Sequence, residues 1–228
     1  HTEMIQKRVI DHHADVGIAL DGDADRVILI DEHAQVVDGD TIMAILAGDM
    51  QKKGKLKNNK LVATVMSNYG LIKAMRDIGV EVVQARVGDR YVIQEMLDHG
   101  AILGGEQSGH LICLEHNTTG DALIAALQVL AIMVERDMPL SELARVITKY
   151  PQTLLNVPVA KKPELETLES VQKAIQSVEV ALKGDGRTLV RYSGTENICR
   201  VLVEGSNSKK VEAHAQTIAH AIHEAIGV

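Results

Sequence analysis

Apolar residues in the first part of the chain come in short runs parted by polar loops. Residues 16–20 (VGIAL) and 27–30 (VILI) flank an acidic stretch and read as strand, loop, strand; the turn DEHAQ then leads to Val36 and Val37. From Gly39 the pattern alternates between helical and strand periods. It predicts a helix over 41–50, a strand over 60–66 and a helix over 69–78 closed by Gly79. A strand over 80–85, a helix over 89–97 and a strand over 101–105 follow, the last entering a glycine-rich loop, and 111–115 continues as a strand. Residues 121–135 (DALIAALQVLAIMVE) are apolar on nearly all sides, the pattern of a buried helix. Such βα alternation predicts an α/β fold, a mixed sheet with helices on its faces.

Pro139, Pro151, Pro158 and Pro163 all fall in the second half, and Tyr150–Pro151 marks a boundary. Beyond it the pattern predicts a strand over 153–159 and a helix with Leu165, Leu168, Val171, Ile175, Val178 and Leu182 on one face. Strands over 188–192 and 199–204 follow, then a final helix turning Val211, Ile218, Ile222 and Ile226 inward. The order β, α, β, β, α predicts a small α+β domain with an antiparallel sheet. The chain opens at His1, without Met, directly into a helix-like stretch, HTEMIQKRVIDHHAD, as a piece of a longer protein would.

Composition narrows the classes. With no Trp and no Phe among 228 residues, the core must be aliphatic. A net charge of −7 argues against a nucleic-acid binder, which needs a basic stripe along the backbone phosphates, yet leaves room for a small anion held by a few arginines. Cys113 and Cys199 have no CxxC spacing and give no disulfide framework, as expected in a reducing compartment. No apolar run is long enough for a membrane span and no signal-peptide pattern opens the chain, so the expectation is a soluble cytoplasmic protein without membrane partners.

Three loops carry chemistry. In DGDADR (21–26), Asp21, Asp23 and Asp25 crowd three carboxylates at a strand tip; like charges this close repel unless a cation joins them, and hard divalent cations take such oxygen ligands. The alternative is a solvated acidic turn. An EF-hand is excluded, because Arg26 replaces the turn glycine and a strand follows. In GGEQSGH (104–110), Glu106 offers two acceptors for neighbouring hydroxyls, Ser108 adds a hydroxyl, and His110 is of the residue type that moves protons near neutrality. The alternative is a glycine-rich hairpin turn. In RYSGTEN (191–197), Arg191 is a forked donor suited to phosphate, Ser193 and Thr195 give hydroxyls, Gly194 bares a backbone N–H, and Arg200 follows on the next strand. A plain hairpin with solvated arginines is the alternative there.

Taken in order, the three loops resemble the α-D-phosphohexomutase superfamily, in which DGDxDR is the metal loop, GExSGH the sugar-specificity loop and RxSGTEP the phosphate loop. The resemblance spans essentially the whole chain. VGDRYV (87–92), the GEQSGH form and TTGD (118–121) are most similar to the phosphoglucosamine mutase branch. The resemblance implies a cytoplasmic enzyme of four domains, of which this chain supplies the end of the second (1–38), the third (39–150) and the fourth (151–228), its partners being the missing N-terminal domains and a small sugar phosphate. It implies interconversion of glucosamine 6-phosphate and glucosamine 1-phosphate through a phosphoserine and a 1,6-bisphosphate, in amino-sugar and cell-wall precursor synthesis. Asp21, Asp23 and Asp25 would hold Mg²⁺, and His110 and Arg26 would form the catalytic set. Glu106 and Ser108 would hold sugar hydroxyls; Arg191, Ser193, Gly194, Thr195 and Arg200 would hold phosphate, and Arg86, Asp89 and Arg90 would line the cleft. Two departures stand out. Asn197 replaces the usual proline, and the family's serine nucleophile is absent: Ser67-Asn68 follows a strand but lacks the accompanying histidine. The rival readings are a phosphomannomutase/phosphoglucomutase and a non-catalytic sugar-phosphate-binding module.

Overall fold

The computed structural model describes residues 2–228. His1, at the head of the helix-like opening and of the 1–38 range, lies outside them. Residues up to Thr148 form one compact unit and Lys149–Val228 a second.

The first unit opens with α1 (Glu3–His12), followed by β1 (Val16–Leu20), β2 (Val27–Asp31) and β3 (Val36–Val37), an antiparallel sheet in the order β1-β2-β3. Then come α2 (Gly39–Lys52), β4 (Lys60–Thr64), α3 (Tyr69–Asp77), β5 (Glu81–Ala85), α4 (Asp89–His99), β6 (Leu103–Gly105), β7 (Leu111–Cys113), α5 (Ala122–Arg136) and the short α6 (Leu140–Leu143). The second sheet has the order β5-β4-β6-β7, with β5, β4 and β6 parallel and β7 folded back antiparallel on β6. Strand alternation splits its residues between two layers. Leu61, Ala63, Leu103, Leu111 and Cys113 join the core with α2, α3 and α5. Val62, Val83, Ala85 and Ile112 meet Val92 and Met96 of α4 on the other face.

The sheet and helix assignments follow the sequence pattern, with two corrections. The all-apolar helix is not the buried one. Only Ala122, Ala125, Ala126, Val129 and Ile132 of α5 are buried, whereas Leu123, Leu127 and Val134 are exposed. The buried helix is α2, enclosed from Gly39 to Met50: Asp38 caps it by accepting from Thr41 N, and Asp40 accepts from Asn68 N at 2.8 Å. The sheet β1-β2-β3 shares this core through Val27, Leu29 and Val37.

The second unit contains β8 (Gln152–Pro158), α7 (Glu169–Leu182), β9 (Gly186–Tyr192), β10 (Ile198–Gly205) and α8 (Ser208–Ile226). Its sheet is antiparallel throughout, ordered β8-β10-β9. Val157, Cys199, Val201 and Val203 face Val171 and Val178 of α7 and Val211, Ala215, Ile218 and Ile222 of α8. Here the second correction applies. The predicted helix face began at Leu165, but Leu165–Thr167 is a 3-10 turn and Leu168 is extended, so the helix starts at Glu169 while both leucines still pack on the core. No helix among the described residues is long and apolar enough to cross a membrane. Both cysteines are free and buried, and desolvation pushes the Cys199 thiol up to about 11.

Candidate functional site

The acidic loop joins β1 to β2. Carboxylate oxygens of Asp21, Asp23 and Asp25 lie within 4.8 Å of one another. Ala24 turns the chain through a left-handed conformation (φ 57°), and its carbonyl accepts from Ala122 N at 3.1 Å, pinning the loop to the start of α5. Desolvation pushes the Asp21 carboxyl up, but the Arg26 amide, the Asp25 contact and the Arg26 guanidinium together hold it below its ordinary value. Arg26 Nε lies 3.9 Å from Asp21 and 3.6 Å from Asp25. Asp25 Oδ1 is buried and makes no hydrogen bond. An all-oxygen donor set with a buried, unsatisfied carboxylate oxygen fits a hard divalent cation such as Mg²⁺.

The second loop closes the β6–β7 hairpin, with Glu106 N donating to His110 O at 2.9 Å and Gly109 N to Glu106 O at 3.0 Å. Its backbone is wedged against the rest of the unit. Gly39 N donates to Gln107 O at 3.1 Å, and a Cβ on Gly39 would lie 2.1 Å from Glu106 O. Gly109 adopts φ 96°, and a Cβ there would lie 2.1 Å from Val27 O. The loop follows the C-terminal end of β6, beside the loop that follows β5, the usual place for a ligand on parallel strands. Gly88, between β5 and α4, donates its N–H to Glu106 Oε1 at 2.9 Å, and Ser108 Oγ donates to Glu106 Oε2 at 3.1 Å.

His110 ties the two loops together. It is 5% exposed; Nδ1 lies 3.1 Å from Asp25 Oδ2, and Nε2 is buried without a hydrogen bond. Its ring fills the space above Gly120, where a Cβ would come within 2.4 Å. The result is a cavity of about 370 Å³ lined by Asp25, Arg26, Val87, Gly88, Asp89, Glu106 and His110. Arg86 and Arg90 turn instead to Tyr91, their guanidinium carbons 3.9 and 4.5 Å from the ring centre. The Arg90 hydrogen bond, helped by the Arg86 charge, holds the Tyr91 hydroxyl below its ordinary pKa.

In the second unit, Ser193–Asn197 link β9 to β10. Ser193 is buried, and its hydroxyl oxygen accepts from Thr195 N and Glu196 N at 3.4 and 3.3 Å, shaping the loop from within. Lys162 Nζ donates to Ser193 O at 2.8 Å. Arg191 and Arg200 are direct cross-strand partners. Like charges placed opposite each other are unfavourable unless an anion joins them. Further along the same face, beyond Leu189 and Leu202, Arg187 and Glu204 pair at 2.5 Å; Arg200 meets Glu196 at 3.2 Å through one guanidinium nitrogen, while its Nε is buried without a hydrogen bond.

Two family models match the chain: the alpha/beta/alpha domain III of phosphoglucomutase/phosphomannomutase over residues 38–150, and the C-terminal domain of the same family over residues 154–221. The chain belongs to the phosphohexomutase family. A phosphoglucosamine mutase of Protochlamydia amoebophila is 60% identical over 228 residues, 100% of this chain and 50% of its own length. One of Chlamydia muridarum is 52% identical over 224 residues, covering 98% and 49%. The chain therefore spans about half the length of the curated relatives it matches. Among solved structures, the Aspergillus fumigatus N-acetylphosphoglucosamine mutase in complex with GlcNAc-6P and magnesium superposes with a TM-score of 0.73 at 24% identity, over 92% of this chain and 49% of that one. A phosphoglucomutase/phosphomannomutase family protein of Burkholderia thailandensis gives 0.75 at 19% identity, over 100% and 52%. Both have the phosphohexomutase fold.

Of the residues expected in a phosphohexomutase site, Asp25, Arg26, Asp89, Glu106 and His110 share the one cavity, with Asp21, Asp23 and Ser108 beside it through direct contacts. Arg191, Ser193, Gly194, Thr195 and Arg200 share the hairpin end of the second unit. Sequence reasoning missed Gly88 and Lys162. Gly88 sits inside the VGDRYV motif, but nothing in the pattern pairs its N–H with a carboxylate 18 residues away. Lys162 had only its place in a basic pair before Pro163 as a signal.

Proposed function

We propose that this chain is the C-terminal half of a phosphoglucosamine mutase, and that the cavity of its first unit receives the sugar of a glucosamine phosphate. The observation that carries this reading is the convergence of Asp25, Arg26, Gly88, Asp89, Glu106 and His110 on one concavity of about 370 Å³. The Gly88 N–H and the Ser108 hydroxyl fix the Glu106 carboxylate and leave its remaining lone pairs to accept from sugar hydroxyls. His110 is a positioning residue: with Nδ1 at Asp25 and Nε2 enclosed, it aims the Asp25 carboxylate rather than meeting the sugar itself. Asp21, Asp23 and Asp25 would hold Mg²⁺, which when bound draws negative charge off a transferring phosphoryl group. The serine that carries that group would come from the other half of the enzyme. In the second unit, Arg191, Arg200, Thr195 and the Gly194 N–H would hold a phosphate that is not reacting.

Titration of isotope-labelled 228-residue chain with glucosamine 6-phosphate tests the reading. The amides of Gly88 and of 106–110 should shift, and less so with mannose or glucose 6-phosphate. In an enzyme completed by the missing half, Glu106→Gln should lower kcat/KM about 10- to 100-fold, the loss expected for a charged hydrogen bond to substrate. Shifts confined to other surfaces, or a preference for mannose or glucose phosphate, would replace this function with another.

A further inference from the structure

A second cluster of ligating side chains lies at the end of β7, outside the sugar cavity. Cys113 Sγ, a Glu115 carboxylate oxygen and a His116 ring nitrogen all fall within 4.8 Å of one another. The backbone brings them together: His116 N and Asn117 N both donate to Cys113 O, at 2.9 and 3.0 Å, folding the three residues onto one turn. Cys113 is buried while Glu115 and His116 are exposed, so a soft ligand lies beneath two solvent-facing ones. A concavity of about 220 Å³, lined by Glu115 and His116 together with Asp49, Glu135, Lys53 and Lys55, leaves room for water beside the two exposed ligands.

We propose that this turn is a Zn²⁺ site, with Cys113 thiolate, Glu115 carboxylate and His116 imidazole as protein ligands and water in the fourth position. Sulfur, nitrogen and oxygen together suit a borderline cation and not Mg²⁺, which distinguishes this site from the all-oxygen acidic loop. Zinc–ligand distances of about 2.0–2.3 Å require the three atoms to close by roughly 1 Å, a movement available to the two exposed side chains. As the Zn–S bond forms, the thiol proton leaves to solvent. Because the ligating thiol must give up its proton, binding should tighten as pH rises. Gln128 Oε1 lies 3.8 Å from Cys113 Sγ and accepts from the thiol; its amide, turned over, would donate to the thiolate. The loop leaving this turn ends at Gly120, against the His110 ring, and at Ala122, which holds Ala24 of the acidic loop. Bound zinc would therefore stiffen the segment that backs both.

The test is Co²⁺ added to the 228-residue chain in excess Mg²⁺. A thiolate-to-cobalt charge-transfer band with visible bands of tetrahedral intensity is expected, bleached by Zn²⁺. Cys113→Ser should remove the charge-transfer band and Cys199→Ser should leave it. His116→Ala, at an exposed position that does not threaten folding, should weaken Co²⁺ binding at least about tenfold. Absence of the band in the unaltered chain, its survival in Cys113→Ser, or unchanged affinity in His116→Ala would each overturn the proposal.

Discussion

His110 Nδ1 lies 3.1 Å from Asp25 Oδ2, although 85 residues separate them in sequence. The contact is reinforced by the bridge between Arg26 and His110 and by Val27 N donating to Gly109 O at 3.1 Å, so backbone and side chain together tie the 104–110 loop to the acidic loop. His110→Ala should empty the space above Gly120 and release Asp25. We expect a loss of about 1–3 kcal/mol in stability, together with weaker Mg²⁺ binding. Urea unfolding and a Mg²⁺ titration measure both. A variant that binds Mg²⁺ as the parent does would mean that the ring does not aim Asp25.

Under the proposed function, the chain alone should not turn over glucosamine 6-phosphate in the presence of Mg²⁺ and a trace of the 1,6-bisphosphate, because the serine that would carry the phosphoryl group belongs to the half of the enzyme that this chain does not span. Turnover above a blank would contradict this. In an enzyme completed by the missing half, Asp23→Asn should abolish activity and leave circular dichroism and melting unchanged, since Asp23 is exposed and contributes little to packing.

The hairpin end of the second unit is testable in the chain as it is. Inorganic phosphate should bind in the millimolar range, because one small anion gains few contacts against its loss of freedom. Amides of Ser193 to Glu196 should shift first, and Arg191→Ala should erase the effect. If other amides move while these stay fixed at tens of millimolar phosphate, the anion site lies elsewhere.

Acid should weaken the first unit through two carboxyls. Burial raises Asp49, but Lys53 and Arg136, at 2.9 and 2.6 Å, bring it below its ordinary 3.8. Burial likewise raises Glu32, and the Ser141 hydroxyl and amide bring it below 4.5. Folded values below unfolded ones mean that this stability is complete above about pH 5 and is lost as pH falls through the depressed values. Urea midpoints between pH 7 and 3 should fall steeply for the parent and less steeply for Asp49→Asn and Glu32→Gln. Parallel slopes would remove these groups from the acid response.

Strand and helix order was legible because apolar periodicity survives wherever one face is buried, and the three loops were legible because their residue types occur in order. Burial of whole helices was not. In α2, nothing in the sequence marks Asp40, Thr41 and Asp49 as interior, yet each is buried, Asp40 with a partner 28 residues away and Asp49 with Arg136 at a distance of 87. In α5, Leu123 and Leu127 read as core and face outward. The start of α7 was hidden because Leu165 and Leu168 keep the helical spacing across a turn that is not α-helical. Likewise, side-chain spacing cannot show a backbone donor such as Gly88.

The wedging of the 104–110 loop against Gly39 and Val27 bears on how such enzymes diverge. A loop whose carbonyls lie within reach of a Cβ at residue 39, and whose Gly109 abuts the Val27 carbonyl, is not an interchangeable cassette. Grafting a relative's loop here would succeed only where positions 27, 39 and 88 are compatible with its backbone path. Under the proposed function, a change of sugar preference would come either from side-chain swaps within an unchanged loop or from coordinated replacement of the strand and helix starts beneath it.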